Sequence, residues 1–252
     1  MAHQEEADRG QGTIIRCLDI ETTGLDPIKD EIVEIAAVDL RPDGSVIGMT
    51  ETLVKPHSAV SPLASAVHHL VGPDLESAPS IEDVIARFAG ADAYVAHNCS
   101  FEEGFLRRYL GQQVWICTYK CALRVWPEFE THSNQALRYQ LGLVNPLDLD
   151  RAKLVPHRAL SDSIVTGAIL VELIKHASWE QLVAWTNEPA LMTVLGFGKH
   201  RGQRFDAVPR DYLRWMAEAP NSLSETAKFS ARYWLNQLGE AAPIRQTTRR
   251  RD

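Results

Sequence analysis

Apolar positions along the chain follow two periods. Thr13–Ile20 (TIIRCLDI) is an apolar, β-branched run that predicts a buried strand. Glu31–Leu40 and Ser45–Val54 predict two more, joined by the turn signal Arg41-Pro42-Asp43-Gly44. Ser61–Val71 opens with Ser-Pro, a helix start that places Pro62 in the first turn. Ser80–Phe88 begins with Ser80 and, three residues on, Asp83, close to a capping box. Short strands are predicted at Ala91–Ala96 and Val114–Cys117, and helices at Ser100–Leu110, Ser133–Leu141 and Arg158–Lys175. Strands first, then helices alternating with strands, predict an α/β domain built on a mixed sheet. After a short helix at Trp179–Thr186, Asn187-Glu188-Pro189 reads as a boundary. Beyond it lie Leu191–Phe197, a Gly-rich loop, and helices at Arg210–Glu218 and Leu223–Leu238, a small α+β unit. The division expected is a polar, disordered leader at 1–12, a main domain at 13–178, an accessory domain at 190–240 and a basic tail at 241–252.

Composition narrows this picture. A chain of 252 residues with 45% hydrophobic and 23% charged residues is globular, which excludes a mainly disordered, collagen-like or coiled-coil chain. No apolar run approaches the roughly 18 residues of a membrane span, and the polar N-terminus lacks a secretory apolar core. The expectation is a cytoplasmic protein without membrane contact. Four cysteines without a CxxC pair read as reduced thiols.

The net charge of −7 speaks against a nucleic-acid partner, but the charge is unevenly spread. Residues 1–189 hold 15 basic and 27 acidic side chains, and residues 190–252 hold 11 basic and 6 acidic. Such asymmetry fits either a nucleic-acid contact or a solvated basic face.

Three acidic elements break the pattern. Asp19 and Glu21 sit two apart at the end of the first strand, and so share a face about 7 Å apart along the chain. Two carboxylates so placed repel, and a hard divalent cation resolves the repulsion. In the helix after His97-Asn98, Glu102 falls on one stripe with Phe105, Leu106 and Tyr109, whereas Glu103 falls off it and can pair with Arg107. Asp162 likewise shares a face with Val165 and Ile169, and His157 lies five residues earlier, in the turn entering that helix. Four acids and a histidine able to take a proton near neutral pH suit two-metal phosphoryl transfer.

The segments Asp19-Ile-Glu-Thr-Thr-Gly-Leu25, His97-Asn-Cys-Ser-Phe-Glu-Glu-Gly-Phe-Leu106 and His157-Arg-Ala-Leu-Ser-Asp162 resemble, in order and spacing, the DEDD superfamily of 3′→5′ exonucleases. The five-residue His–Asp interval matches its histidine, or DEDDh, subfamily. The resemblance implies a ribonuclease H-like mixed β-sheet flanked by helices. It also implies that Asp19, Glu21 and Asp162 ligate two divalent ions, Mg²⁺ or Mn²⁺, with Asp19 bridging them and His157 as general base. Thr22 and Leu25 would contact the terminal nucleotide, Asn98 and Phe101 would line its pocket, and His68 would sit beside the substrate strand. One position departs from the pattern: the family has Asp where this chain has Glu102.

Trp115-Ile-Cys-Thr118, Arg124-Val-Trp-Pro127, Leu191-Met-Thr193, Phe197-Gly-Lys-His-Arg-Gly202 and Asp211-Tyr-Leu-Arg-Trp215 resemble a branch of that family with a small C-terminal domain. This branch implies DNA as substrate, single-stranded or at duplex 3′ ends, and a role in repair or recombination. In the C-terminal unit Lys199, Arg201 and Arg204 are the candidate DNA contacts, with Phe197 and Phe205 able to stack on bases. The bland alternative there is a β-hairpin whose aromatics pack inward. Trp215 and Trp234 fall on helical stripes and are expected in the core. Two other functions stay open on the residues: an exonuclease of RNA 3′ ends, and a non-catalytic nucleic-acid-binding module. A homodimer also stays open.

Overall fold

The computed structural model describes residues 12–150, 154–219 and 223–240. Both the polar leader, apart from Gly12, and the basic tail at 241–252 lie outside the described residues. The chain divides into two compact units between Glu188 and Pro189.

The first unit is organised by a five-stranded mixed sheet of order β3-β2-β1-β4-β5. Strands β1 (Ile15–Thr22), β2 (Ile32–Leu40) and β3 (Val46–Leu53) form an antiparallel meander, and β4 (Ala93–Ala96) and β5 (Trp115–Cys117) add in parallel to β1. Parallel addition requires helical crossovers. These come from α1 (Pro62–His68), α2 (Gly72–Leu75) and α3 (Ile81–Val84) before β4, and from α4 (Ser100–Leu110) before β5. Then follow α5 (Thr118–Val125), α6 (Asn134–Gln140), α7 (Ala159–Leu173) and α8 (Trp179–Asn187).

Side-chain alternation along β1 divides the core in two. Leu18 and Ile20 point into one cluster, with Tyr94, Phe88, Phe105 and Leu106. Ile15 and Cys17 point into the other, with Ile164, Val165 and Ile169 of α7. Asp19 and Glu21 continue the second face and so emerge on the side of α7. The β1–β2 register runs Glu21↔Glu34 and then Thr22↔Ile32, a bulge that leaves Val33 over and ends regular pairing beside the acids.

Three local differences from the sequence expectation have physical causes. The helix expected through Val71 stops at His68, because His69 turns left-handed (φ 63°) and Gly72-Pro73 begins a new turn. Helix α5 was not expected; it is short, starts directly after β5, and has no capping side chain to announce it. No ion pair joins Glu103 to Arg107 among the described residues, although both sit on α4 at the right spacing.

The second unit contains α9 (Arg210–Glu218) and α10 (Glu225–Glu240), packed against each other. Between Leu191 and Phe205 one antiparallel bridge, Val194↔Arg204, closes the Gly-rich loop, in keeping with the hairpin alternative. Phe205 is fully buried rather than available for stacking, and Trp234 is buried, its indole N–H donating to the Met192 carbonyl at 2.9 Å. Trp215, expected in the core, is 51% exposed. The inward face of α9 is already taken by Leu213 and Met216, and position 215 lies about 200° around the helix from 213.

Helix α7 approaches the sheet closely at Gly167, where an added Cβ would lie 3.3 Å from Leu147, 3.5 Å from Leu40 and 3.6 Å from Cys17. Gly167→Ala is expected to be tolerated. Gly167→Leu is expected to destabilise the unit by about 1–3 kcal/mol through overpacking, read as a lower Tm in thermal unfolding.

Candidate active site

Parallel pairing of β1 and β4, with Cys17 opposite Val95, points their carboxyl ends the same way, and β1 runs on past the end of β4. From the end of β4 the chain passes through His97 and Asn98 into α4, which carries Glu102 and packs against β1. From the other side of the sheet, α7 brings Asp162. Carboxylate oxygens of Asp19, Glu21 and Asp162 lie within 4.8 Å of one another. Glu102 is 3% exposed, and its Oε2 has no hydrogen-bond partner.

The electrostatics of this cluster are unfavourable for anions. Burial, then the charges of Glu102, Asp162, Glu21 and Glu34, push the Asp19 carboxyl well up. Burial, then Asp162 and Glu34, push Glu21 up to about 8, with Arg158 opposing. Burial also raises Glu102 and Asp162. A divalent cation fits this donor set. Three oxygens are within joint reach, the ligands are hard, and a buried carboxylate atom lacks a partner.

The arrangement is held by residues that the sequence pattern does not single out. Gln135 donates to Asp162 Oδ1 at 2.6 Å, and the His157 backbone N–H donates to Oδ2 at 2.8 Å. Glu34, buried on β2 opposite Glu21, accepts from Arg158 Nε at 3.1 Å and Nη2 at 2.5 Å, and from the Ala159 backbone N–H at 2.9 Å. One carboxylate therefore caps α7 and clamps the residue next to His157. His157 itself is exposed and left-handed, with φ of 60°. The signal for these partners is tertiary, since Glu34 and Arg158 are 124 positions apart in sequence.

The other expected site residues are placed as follows. Leu25 is 83% exposed, in the turn after β1. Thr22 is buried, and its hydroxyl donates to the Gly24 carbonyl at 2.5 Å. Asn98 is exposed at φ of 73°, and Phe101 packs on Phe105 with ring centroids 5.0 Å apart. His68 has a different task from the one expected. It is buried, its Nδ1 accepts from the Leu70 N–H at 3.0 Å, and its Nε2 therefore donates to the Thr22 carbonyl at 3.2 Å. With both nitrogens engaged, it ties α1 to the end of β1. His97 is also structural: its Nε2 donates to the His132 carbonyl at 2.8 Å, and burial lowers its pKa to about 4. In the second unit Lys199 and Arg201 are exposed, whereas Arg204 forms an ion pair with Asp206 at 3.0 Å.

Carboxyls raised by folding bind more protons in the folded than in the unfolded chain, from about pH 4 up to the raised values, about 8 for Glu21. Stability therefore falls as pH rises through that window. In a chelator, thermal unfolding is expected to show a lower Tm at pH 8 than at pH 5. A divalent cation should remove much of the difference, and Asp19→Asn should flatten it.

A family model described as Exonuclease (RNase_T) matches residues 17–170. Exodeoxyribonuclease 10 of Escherichia coli K12 is 38% identical over 229 residues, covering 88% of this chain and 99% of its own length. The DNA polymerase III PolC-type protein of Thermotoga petrophila is 32% identical over 167 residues, covering 63% of this chain and 12% of that protein. The solved structure of Exonuclease X in complex with 5′-overhanging duplex DNA superposes with a TM-score of 0.57 at 37% identity, over 69% of this chain and 99% of that one. That of E. coli Exonuclease I with a dA16 oligonucleotide has a TM-score of 0.55 at 16% identity, over 69% of this chain and 42% of that one, a likeness of fold. Among the described residues no helix is long and apolar enough to cross a membrane. The matched region contains the whole acidic cluster, and the chain belongs to the RNase_T exonuclease family, as a ribonuclease H-like hydrolase of the DEDDh type.

Proposed function

We propose that the protein removes nucleoside 5′-monophosphates from the 3′ ends of DNA by metal-dependent hydrolysis, in repair or recombination. The observation that carries this reading is the joint reach of Asp19, Glu21 and Asp162, with His157 five residues before Asp162. Two divalent ions, Mg²⁺ or Mn²⁺, held by these carboxylates would neutralise the attacked phosphate and make a water easier to deprotonate.

His157 would take the proton of the attacking water as its oxygen bonds to phosphorus, while the bond from phosphorus to the 3′ oxygen breaks and that oxygen leaves as the hydroxyl of the shortened strand, protonated from solvent. The backbone N–H of His157 stays on Asp162, so base and carboxylate move as one piece. The clamp of Arg158 on Glu34 fixes the same turn from its other side. Leu25 offers an exposed apolar face to the terminal nucleotide, and Thr22 at the end of β1, Asn98 in the turn before α4 and Phe101 on α4 would border its place. DNA is favoured over RNA by the relatives, whose names and titles refer to exodeoxyribonuclease and to duplex DNA. Lys199 and Arg201 would add sequence-independent phosphate contacts from the second unit.

Glu102 takes the fourth acidic position with one methylene more than Asp. A displacement of about 1 Å at a reacting centre costs up to ~100-fold in rate. Glu102→Asp is expected to lower turnover, which would mark Glu102 as the adapted residue here. His157→Ala should reduce turnover by about 100-fold or more. The test is digestion of end-labelled DNA and RNA with Mg²⁺, with Mn²⁺ and with EDTA, beside an Asp19→Ala control. Shortening of DNA from the 3′ end, abolished by EDTA and by Asp19→Ala, is the expected result. A wild type inactive with both metals would overturn the reading.

A further inference from the structure

The second unit carries a row of aromatic rings. His200 and Tyr212 meet edge to face at 4.7 Å, and Tyr212 and Trp215 lie 5.2 Å apart at 42°. Tyr212 and Trp215 are one helical turn apart on α9; Trp215 is exposed on the side away from the buried Leu213, and Tyr212 is half-buried beside Met216. Trp215 leaves half of the largest apolar side chain in water, and no packing need of the unit explains it.

The row is held in place. Gly198 is left-handed, and a Cβ there would come within 2.6 Å of the Tyr212 hydroxyl. The glycine loop thus closes over the rim of Tyr212, while His200 from the same loop abuts its ring. Such a loop needs glycine at 198 for two reasons, backbone conformation and space.

The loop side of the row is basic. Lys199 and Arg201, from the loop, are exposed, and so is Arg214, which lies about 100° around α9 from Trp215. Their side chains have no hydrogen-bond or ion-pair partner among the described residues. The same helix exposes Asp211 and Glu218, four residues before and three after Trp215 and so on its side of the helix, and Asp206 is already matched by Arg204. An apolar partner would leave Lys199 and Arg201 uncompensated at the Tyr212 end of the row. A strand of unpaired nucleotides meets both features, because its bases stack on aromatic faces and its phosphates take Lys and Arg.

We propose that Tyr212 and Trp215 form a stacking platform for unpaired nucleotides, with Lys199 and Arg201 receiving the backbone phosphates. The proposal rests on the reading above that the substrate is a nucleic acid, and adds that the second unit grips its single-stranded part. It also moves the stacking role from Phe197 and Phe205 to α9.

The test is fluorescence anisotropy of labelled dT16, U16 and a 16-base-pair duplex with the full-length chain in EDTA, where no hydrolysis occurs. Trp215→Ala is expected to weaken single-strand binding about ten-fold and duplex binding less than ~two-fold, and Trp215→Phe to retain most of it. Loss on dT16 assigns DNA as the occupant, and loss on U16 alone assigns RNA ends; both support the platform. Lys199→Ala combined with Arg201→Ala, far from the core of the unit, should lower the slope of log affinity against log salt by about 1.4. Unchanged single-strand affinity in both variants would overturn the proposal. So would a Trp215→Ala variant that changes oligomeric state in sedimentation but not affinity, since the rings would then join copies of this chain. A wild type that binds dT16 through Trp215 but does not shorten it would overturn the function proposed above and leave the platform standing.

Discussion

Mutual repulsion among Asp19, Glu21, Glu102 and Asp162 is the constraint on which the main unit depends. Carboxylates gathered in a half-buried place raise one another's proton affinity, and the fold must supply the force that holds them together. Three sources supply it. The sheet fixes Asp19 and Glu21 through backbone pairing with β2, and α4 and α7 are driven onto opposite faces of that sheet by apolar burial. Glu34 then attaches the start of α7 to the sheet by three hydrogen-bonding groups. A fold with this much anionic strain is suited to a cationic ligand, which converts the repulsion into coordination.

Most of the site was legible because it depends on local periodicity. The alternation of β1 placed Asp19 and Glu21 on one face, and the helical stripe picked Glu102 over Glu103, as its burial bears out. Asp162 was found in the same way. The positioning residues were not legible. Glu34 looks like one acid among the apolar positions of a strand, and its meaning appears only when β2 meets α7. The resemblance puts His68 on the substrate side, whereas in the structure its neighbours engage both nitrogens. Trp215 shows the limit of stripe arguments, since a nine-residue amphipathic helix has room inside for only part of its apolar set.

Charge has a similar history. The total of −7 describes neither unit. In the first, part of the negative charge is concentrated where cations are needed. In the second, Lys199 and Arg201, without ion-pair partners among the described residues, lie on the loop that meets Tyr212. Net charge averages two surfaces with opposite tasks.

Gly167 has a consequence for chemistry as well as for packing. It lies on α7 five residues beyond Asp162 and faces Cys17, which lies on β1 two residues before Asp19 and on the same face. The thickness of that contact sets how far the helix stands from the strand, and hence how far Asp162 stands from Asp19. A glycine there works as a spacer of minimum width. The separation of the two carboxylates is thus gauged from inside the hydrophobic core, by atoms that never meet the substrate.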